Sequence, residues 1–158
     1  MKESMRCAET IAINLVTKDI PEFNKEDLKF GLHIHCPSTG MPKDGPSAGI
    51  AICIAIYSYL TNKYINQDIA VTGEIDLLGK ALPIGGVEAK LVGSKKAGIK
   101  TALIPKENEF EFELMKEEGR GIEDENFKVV MIGNIYEALP YFIKDNRKDE
   151  WILYIVIN

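Results

Sequence analysis

The residue with the clearest chemical possibility is Ser47, in the stretch PKDGPSAG at 42–49. Glycines there permit close backbone approach, and Pro46 pre-sets a helix start. The pattern predicts that Ser47 sits at a helix N-terminus, where free N–H groups and the dipole favour a developing negative charge. That setting suits a nucleophile whose attack creates an oxyanion. The plainer alternative is a serine that only starts a helix, a very common use. A phosphate loop is excluded. Gly40 and Gly45 have its spacing, but Pro46 stands where its lysine belongs and removes a backbone donor as well. His33 and His35 form an HxH pair on one predicted strand face, which suggests a metal, yet no third ligand is evident. Cys36 beside His35 would make a Cys–His nucleophile, but strand alternation puts the two side chains on opposite faces. Glu74 either lines a site or pairs with a nearby cation.

The elements that must position these groups alternate between helical and strand patterns, the signature of an α/β domain. Met5, Ala8, Ala12 and Leu15 recur at helical steps within 3–18, and residues 28–36 alternate as a strand. A nearly all-apolar segment from Ser47 to about Leu60 predicts a buried helix. DIAVTG reads as a short strand and IDLLGKALP as a strand pair turning near Gly79. Residues 86–97 form a helix stopped by Gly98, TALIP a strand, and ENEFEFELMKEEG a helix ending at Gly119. KVVMIG is a further strand, followed by a short helix capped by Asn134 and interrupted by Pro140. A charge run, KDNRKDE, precedes the apolar tail WILYIVIN.

The chain has 158 residues, 46% hydrophobic and 27% charged, the profile of one globular domain with a real core. Its net charge of -5 argues against a general nucleic-acid binder. No stretch approaches the ~18 apolar residues of a membrane span, and MKESMRCAET lacks a secretory core. Cys7, Cys36 and Cys53 show no CxxC spacing, so free thiols in a reducing, intracellular compartment are expected.

Four segments in order carry a resemblance: PKDGPSAG, VTGEI at 71–75, LPIGGVEAKL at 82–91 and GIKTALIPKENE at 98–109. Together, with MKES at 1–4, they resemble the proteolytic domain of the Lon family of ATP-dependent serine proteases over residues 1–143. PKDGPSAG is closer to the bacterial and organellar branch than to the archaeal membrane-anchored one. The resemblance implies an α/β (α+β) fold of mixed sheets and packed helices, similar to the second domain of a small-subunit ribosomal protein. It implies a Ser–Lys dyad, with Ser47 as nucleophile and Lys90 as general base. A lysine serves as a base only if its pKa falls from about 10.4 toward neutrality, which desolvation achieves; without the motif, Lys90 would read as a solvated surface lysine. By the same resemblance the Thr72 hydroxyl holds the lysine in line and Asp44 lies at the mouth of the site. Their plainer readings are a β-branched packing residue and a turn or cap residue. Gly45 and Pro46 would line the site, His33 and His35 would have a structural or modulating role near it, and backbone N–H groups around Ser47 would receive the oxyanion.

The implied activity is a serine endopeptidase acting on unfolded or damaged proteins. No cofactor is expected in this domain, with no metal in its site; ATP and Mg belong to the full-length protein, a homo-hexamer coupled to an AAA+ ATPase module. The alternative is a catalytically unproductive oligomerisation module. Bacterial cytoplasm and organelle matrix, including the mitochondrial one, both fit. The chain departs from the family at CPSTGM (36–41), where an acidic step is usual, and WILYIVIN matches nothing in it. Strands upstream of MKES and an ATPase module are expected in a longer protein, leaving 144–158 as a tail.

Overall fold

The computed structural model describes residues 2–28, 31–35 and 45–144. Helix α1, Lys2–Asp19, buries Ala8, Ile11, Ala12, Leu15 and Val16 along one stripe, with Glu3 in its first turn and Lys18 in its last to complement the dipole. It packs along α2, Gly49–Thr61, which is apolar nearly all round because it lies inside the molecule. Asn62 ends α2 in the left-handed conformation.

Three parallel strands make the central sheet: β2 (Ile69–Val71), β5 (Thr101–Pro105) and β6 (Lys128–Ile132), in the order β2-β5-β6. The two flanking sheets are antiparallel pairs, β1 (Tyr64–Ile65) with β7 (Ile143–Lys144) and β3 (Glu74–Ile75) with β4 (Ala81–Leu82). Residues 102–105 are continuously apolar because both faces of β5 are covered. Leu103 faces a cluster built from α1, α2 and α5 (Ile135–Phe142). Ala102 and Ile104 face a second cluster with Val87 and Leu91 of α3 (Val87–Lys96) and Phe112 and Met115 of α4 (Glu109–Glu117). The result is helices on both faces of a mixed α/β fold. Each fully buried Leu or Ile contributes about 1.5–3 kcal/mol relative to exposure.

Most predicted elements fall where the sequence puts them, including the turn at Gly79 and the Asn134 cap, whose side chain accepts from the Glu137 N–H. Two differ. The expected strand over 28–36 is not one within 31–35, although its alternation survives: Leu32 and Ile34 pack against the first cluster while His33 and His35 are exposed. Alternation records which face is apolar, whereas a strand also needs a neighbouring backbone to pair with. The helix after PKDGPSAG starts at Gly49, capped by Ala48, two residues later than Ser47. Cys36, Asp44 and the WILYIVIN tail lie outside the described residues. Among the described residues, no helix is long and apolar enough to cross a membrane.

Candidate active site

Ser47 occupies a tight turn just before α2. The Gly49 N–H donates to the Pro46 carbonyl (3.0 Å), as does the Ser4 hydroxyl from α1 (3.0 Å). The Ser47 carbonyl is turned away from the helix toward the end of β2. It accepts from the Gly73 N–H at 2.8 Å and from the Thr72 hydroxyl at 3.3 Å. The Ile50 N–H then returns to the Gly73 carbonyl at 3.1 Å. This exchange leaves no room for side chains at the contact: a Cβ on Gly49 would lie 2.9 Å from Ile75 Cγ2 and 3.0 Å from the Ile75 nitrogen, and one on Gly73 would lie 2.5 Å from Ile50 Cδ1. Gly49 is thus held close by the Ile75 backbone, and Gly73 by the Ile50 side chain.

Lys90 reaches the same end of the sheet from the opposite face. Parallel β2 and β5 require a crossover, and α3 within it runs back against the strand direction. Its N-terminus consequently lies over the carboxyl ends of the strands, where open α/β sheets place their sites. Asn108, just past β5, fastens it there: its Oδ1 accepts from the Ile84 N–H at 3.0 Å and its Nδ2 donates to the Ile84 carbonyl at 2.9 Å. Gly86 caps α3 in the left-handed conformation, φ 70°, and Lys90 lies in the first turn. Val87 and Leu91 are buried, and Lys90 on the flank of that face is half-buried. Its amine donates to the Gly85 carbonyl at 2.9 Å. Partial burial holds the Lys90 ammonium below its ordinary pKa, opposed by the Glu111 carboxylate. The positive end of the helix dipole acts in the same direction as burial.

The structure thus joins Ser47, Pro46, Thr72 and Gly73 through hydrogen bonds, with Gly45 exposed beside them at φ 95°. Glu74 is half-buried on β3, two residues beyond Thr72. The Thr72 hydroxyl meets the Ser47 carbonyl, and the Lys90 amine meets the Gly85 carbonyl. No group of three or more His, Cys, Asp or Glu side chains able to hold a metal occurs among the described residues. The motifs alone do not mark Ser4 and Asn108 as site supports. Ser4 lies in MKES and Asn108 in PKENE, both inside segments singled out for other reasons, and each is buried where its residue type is normally exposed.

Residues 1–143 match the family model of the Lon protease C-terminal proteolytic domain. The chain belongs to that family. The Lon protease of Haemophilus influenzae is 42% identical over 147 residues, which covers 92% of this chain and 17% of that protein. The Lon protease of Campylobacter jejuni is 42% identical over 151 residues, 89% of this chain and 19% of that protein. A mitochondrial Lon protease homolog of Caenorhabditis elegans is 41% identical over 117 residues, 74% of this chain and 12% of that protein. The chain therefore spans less than a fifth of each of these Lon relatives.

Proposed function

We propose that this Lon-family domain is a serine peptidase in which Ser47 attacks a peptide carbonyl and Lys90 is its base. The observation that carries the reading is that the clamped Ser47 turn lies at the carboxyl end of β2, while Asn108, past the carboxyl end of β5, holds the loop whose Gly85 carbonyl takes the Lys90 amine. A hydroxyl becomes an effective nucleophile when a base takes its proton, and a lysine accepts that proton only when neutral. The amine would receive the Ser47 proton as the oxygen bonds to the carbonyl carbon, then return it to the leaving amine. The Gly49 and Ile50 amides are committed to Pro46 and Gly73, so other backbone N–H groups around Ser47 would receive the oxyanion. The Thr72 hydroxyl would turn from the Ser47 carbonyl to hold the lysine, and Asp44 would act at the mouth.

By its family, the domain would act on unfolded or damaged proteins within a homo-hexamer. ATP and Mg would serve an AAA+ module, in bacterial cytoplasm or an organelle matrix such as the mitochondrial one. The domain itself would, by the same family, use no cofactor of its own, and Pro46 standing where a phosphate-binding lysine belongs argues against a nucleotide at this loop. A second reading, an unproductive assembly module, draws on the present hydrogen bonds, in which the Lys90 amine is taken up by the Gly85 carbonyl.

A serine-directed phosphonate or peptide boronate separates the two. The peptidase reading expects labelling of Ser47, lost in Ser47→Ala and Lys90→Ala, with a rate that climbs with pH as the amine loses its proton. The limb should fall below the ordinary lysine value of about 10.4. No labelling of folded protein between pH 6 and about 9.5 would mean the assembly module instead.

A further inference from the structure

Asn108 is buried, and its amide is fully used. Besides both backbone groups of Ile84, its Nδ2 donates to the Glu111 carboxylate at 3.2 Å. Ile84 immediately precedes Gly85, whose carbonyl holds the Lys90 amine. One side chain thus sets the loop that grips the lysine and the carboxylate nearest it in electrostatic effect.

We propose that Asn108 and Glu111 are positioning residues for Lys90: Asn108 fixes the loop whose Gly85 carbonyl grips the amine, and the same side chain holds the Glu111 carboxylate beside that loop. The inference rests on the reading of Lys90 as the base. Several of the other charged groups around α3 are engaged elsewhere. Glu88 is tied to Arg120, Glu107 to Lys80 at 2.5 Å, Glu113 to Lys116 at 2.5 Å and Asp124 to Lys95 at 2.6 Å. Glu109 on α4, Lys106 before it and Glu74 on β3 also belong to elements at this end of the sheet. Of all of these, it is the Glu111 charge that Lys90 registers among the described residues, and it favours the ammonium. Burial and Glu111 therefore pull in opposite directions. Glu111 thus offsets part of the lowering that burial causes.

Glu111→Gln keeps an acceptor for Asn108 and removes only the charge. In the 158-residue chain carrying 13Cε-labelled lysine, with the Lys90 signal assigned by its loss in Lys90→Gln, the titration midpoint should move to lower pH. The acid limb of Ser47 phosphonate labelling should move with it, raising the rate at pH 7 by up to about tenfold per unit moved. Asn108→Asp keeps the acceptor for the Ile84 N–H and loses the Nδ2 donor, so it should lower the plateau rate above the limb with the circular dichroism spectrum unchanged. An unmoved Lys90 midpoint in Glu111→Gln overturns the proposal, as does wild-type labelling by Asn108→Asp at every pH. If Asn108→Asp fails to fold, the Glu111→Gln titration still decides. Absence of Ser47 labelling in the wild-type chain strikes the dyad reading instead, and the Lys90 titration then tests the coupling to Glu111 independently of it.

Discussion

The two halves of the candidate site are held by different means. Ser47 is fixed by its main chain: its carbonyl accepts from Gly73 and Thr72, its neighbour Pro46 accepts from Gly49 and Ser4, and a side chain on Gly49 would meet the Ile75 backbone. Lys90 hangs from a long, half-buried side chain with one hydrogen bond to the Gly85 carbonyl. Main-chain contacts between packed elements change only when those elements move, whereas a lysine side chain has four rotatable bonds and a pKa that follows its surroundings. The serine side is therefore the fixed reference and the lysine side the adjustable part. Activity should be tuned through α3, α4 and the loop between β4 and α3.

The largest effect should come from the lysine itself. Lys90→Arg should slow Ser47 labelling by at least about 10²- to 10⁴-fold, to the same loss expected of Lys90→Ala, because a guanidinium stays protonated. Labelling by Lys90→Arg at the wild-type rate would remove the adjustable half of the comparison. Next come the two packing clusters. Leu103→Ala and Leu91→Ala each empty a fully buried site and should cost about 2–5 kcal/mol in urea unfolding. Where both variants remain folded, Leu91→Ala should depress labelling more, since it loosens the helix that carries Lys90; the reverse order would contradict the contrast. Gly49→Ala pushes a methyl against the Ile75 backbone and should cost about 1–3 kcal/mol, read from the same unfolding curves. The smallest effect is a pH dependence of stability. The Lys90 pKa is lower folded than unfolded, so between those two values the unfolded chain binds more protons and stability gains with rising pH. Lys90→Met lacks that gain, so its stability advantage should be greatest near pH 7 and shrink toward pH 10 in denaturant titrations.

Much of this is legible in the residues. Helices α1, α3 and α4 follow from apolar steps and stop signals, and β5 from an apolar run too short to be a helix. Ser47, Thr72 and Lys90 stand out through the segments around them. What is illegible depends on partners distant in the chain. The alternation of 31–35 describes exposure correctly but not pairing, which needs another backbone alongside. Pro46 and Ser47 look like a first turn, which puts the expected helix start two residues early; the carbonyl of Ser47 is claimed by Gly73 from elsewhere. Asn108 looks like an ordinary turn residue in PKENE. Only the fold brings Ile84 against it and makes its burial tolerable.

Because β5 shows Leu103 to one apolar cluster and Ala102 and Ile104 to the other, the two cores are glued by a single thin layer of strands. At the carboxyl rim of that layer, one core contributes the alcohol and the other the amine. A boronate bonded to Ser47 and touching Lys90 would rivet them together, so that halves free to soften at different temperatures would melt as one, later and more sharply.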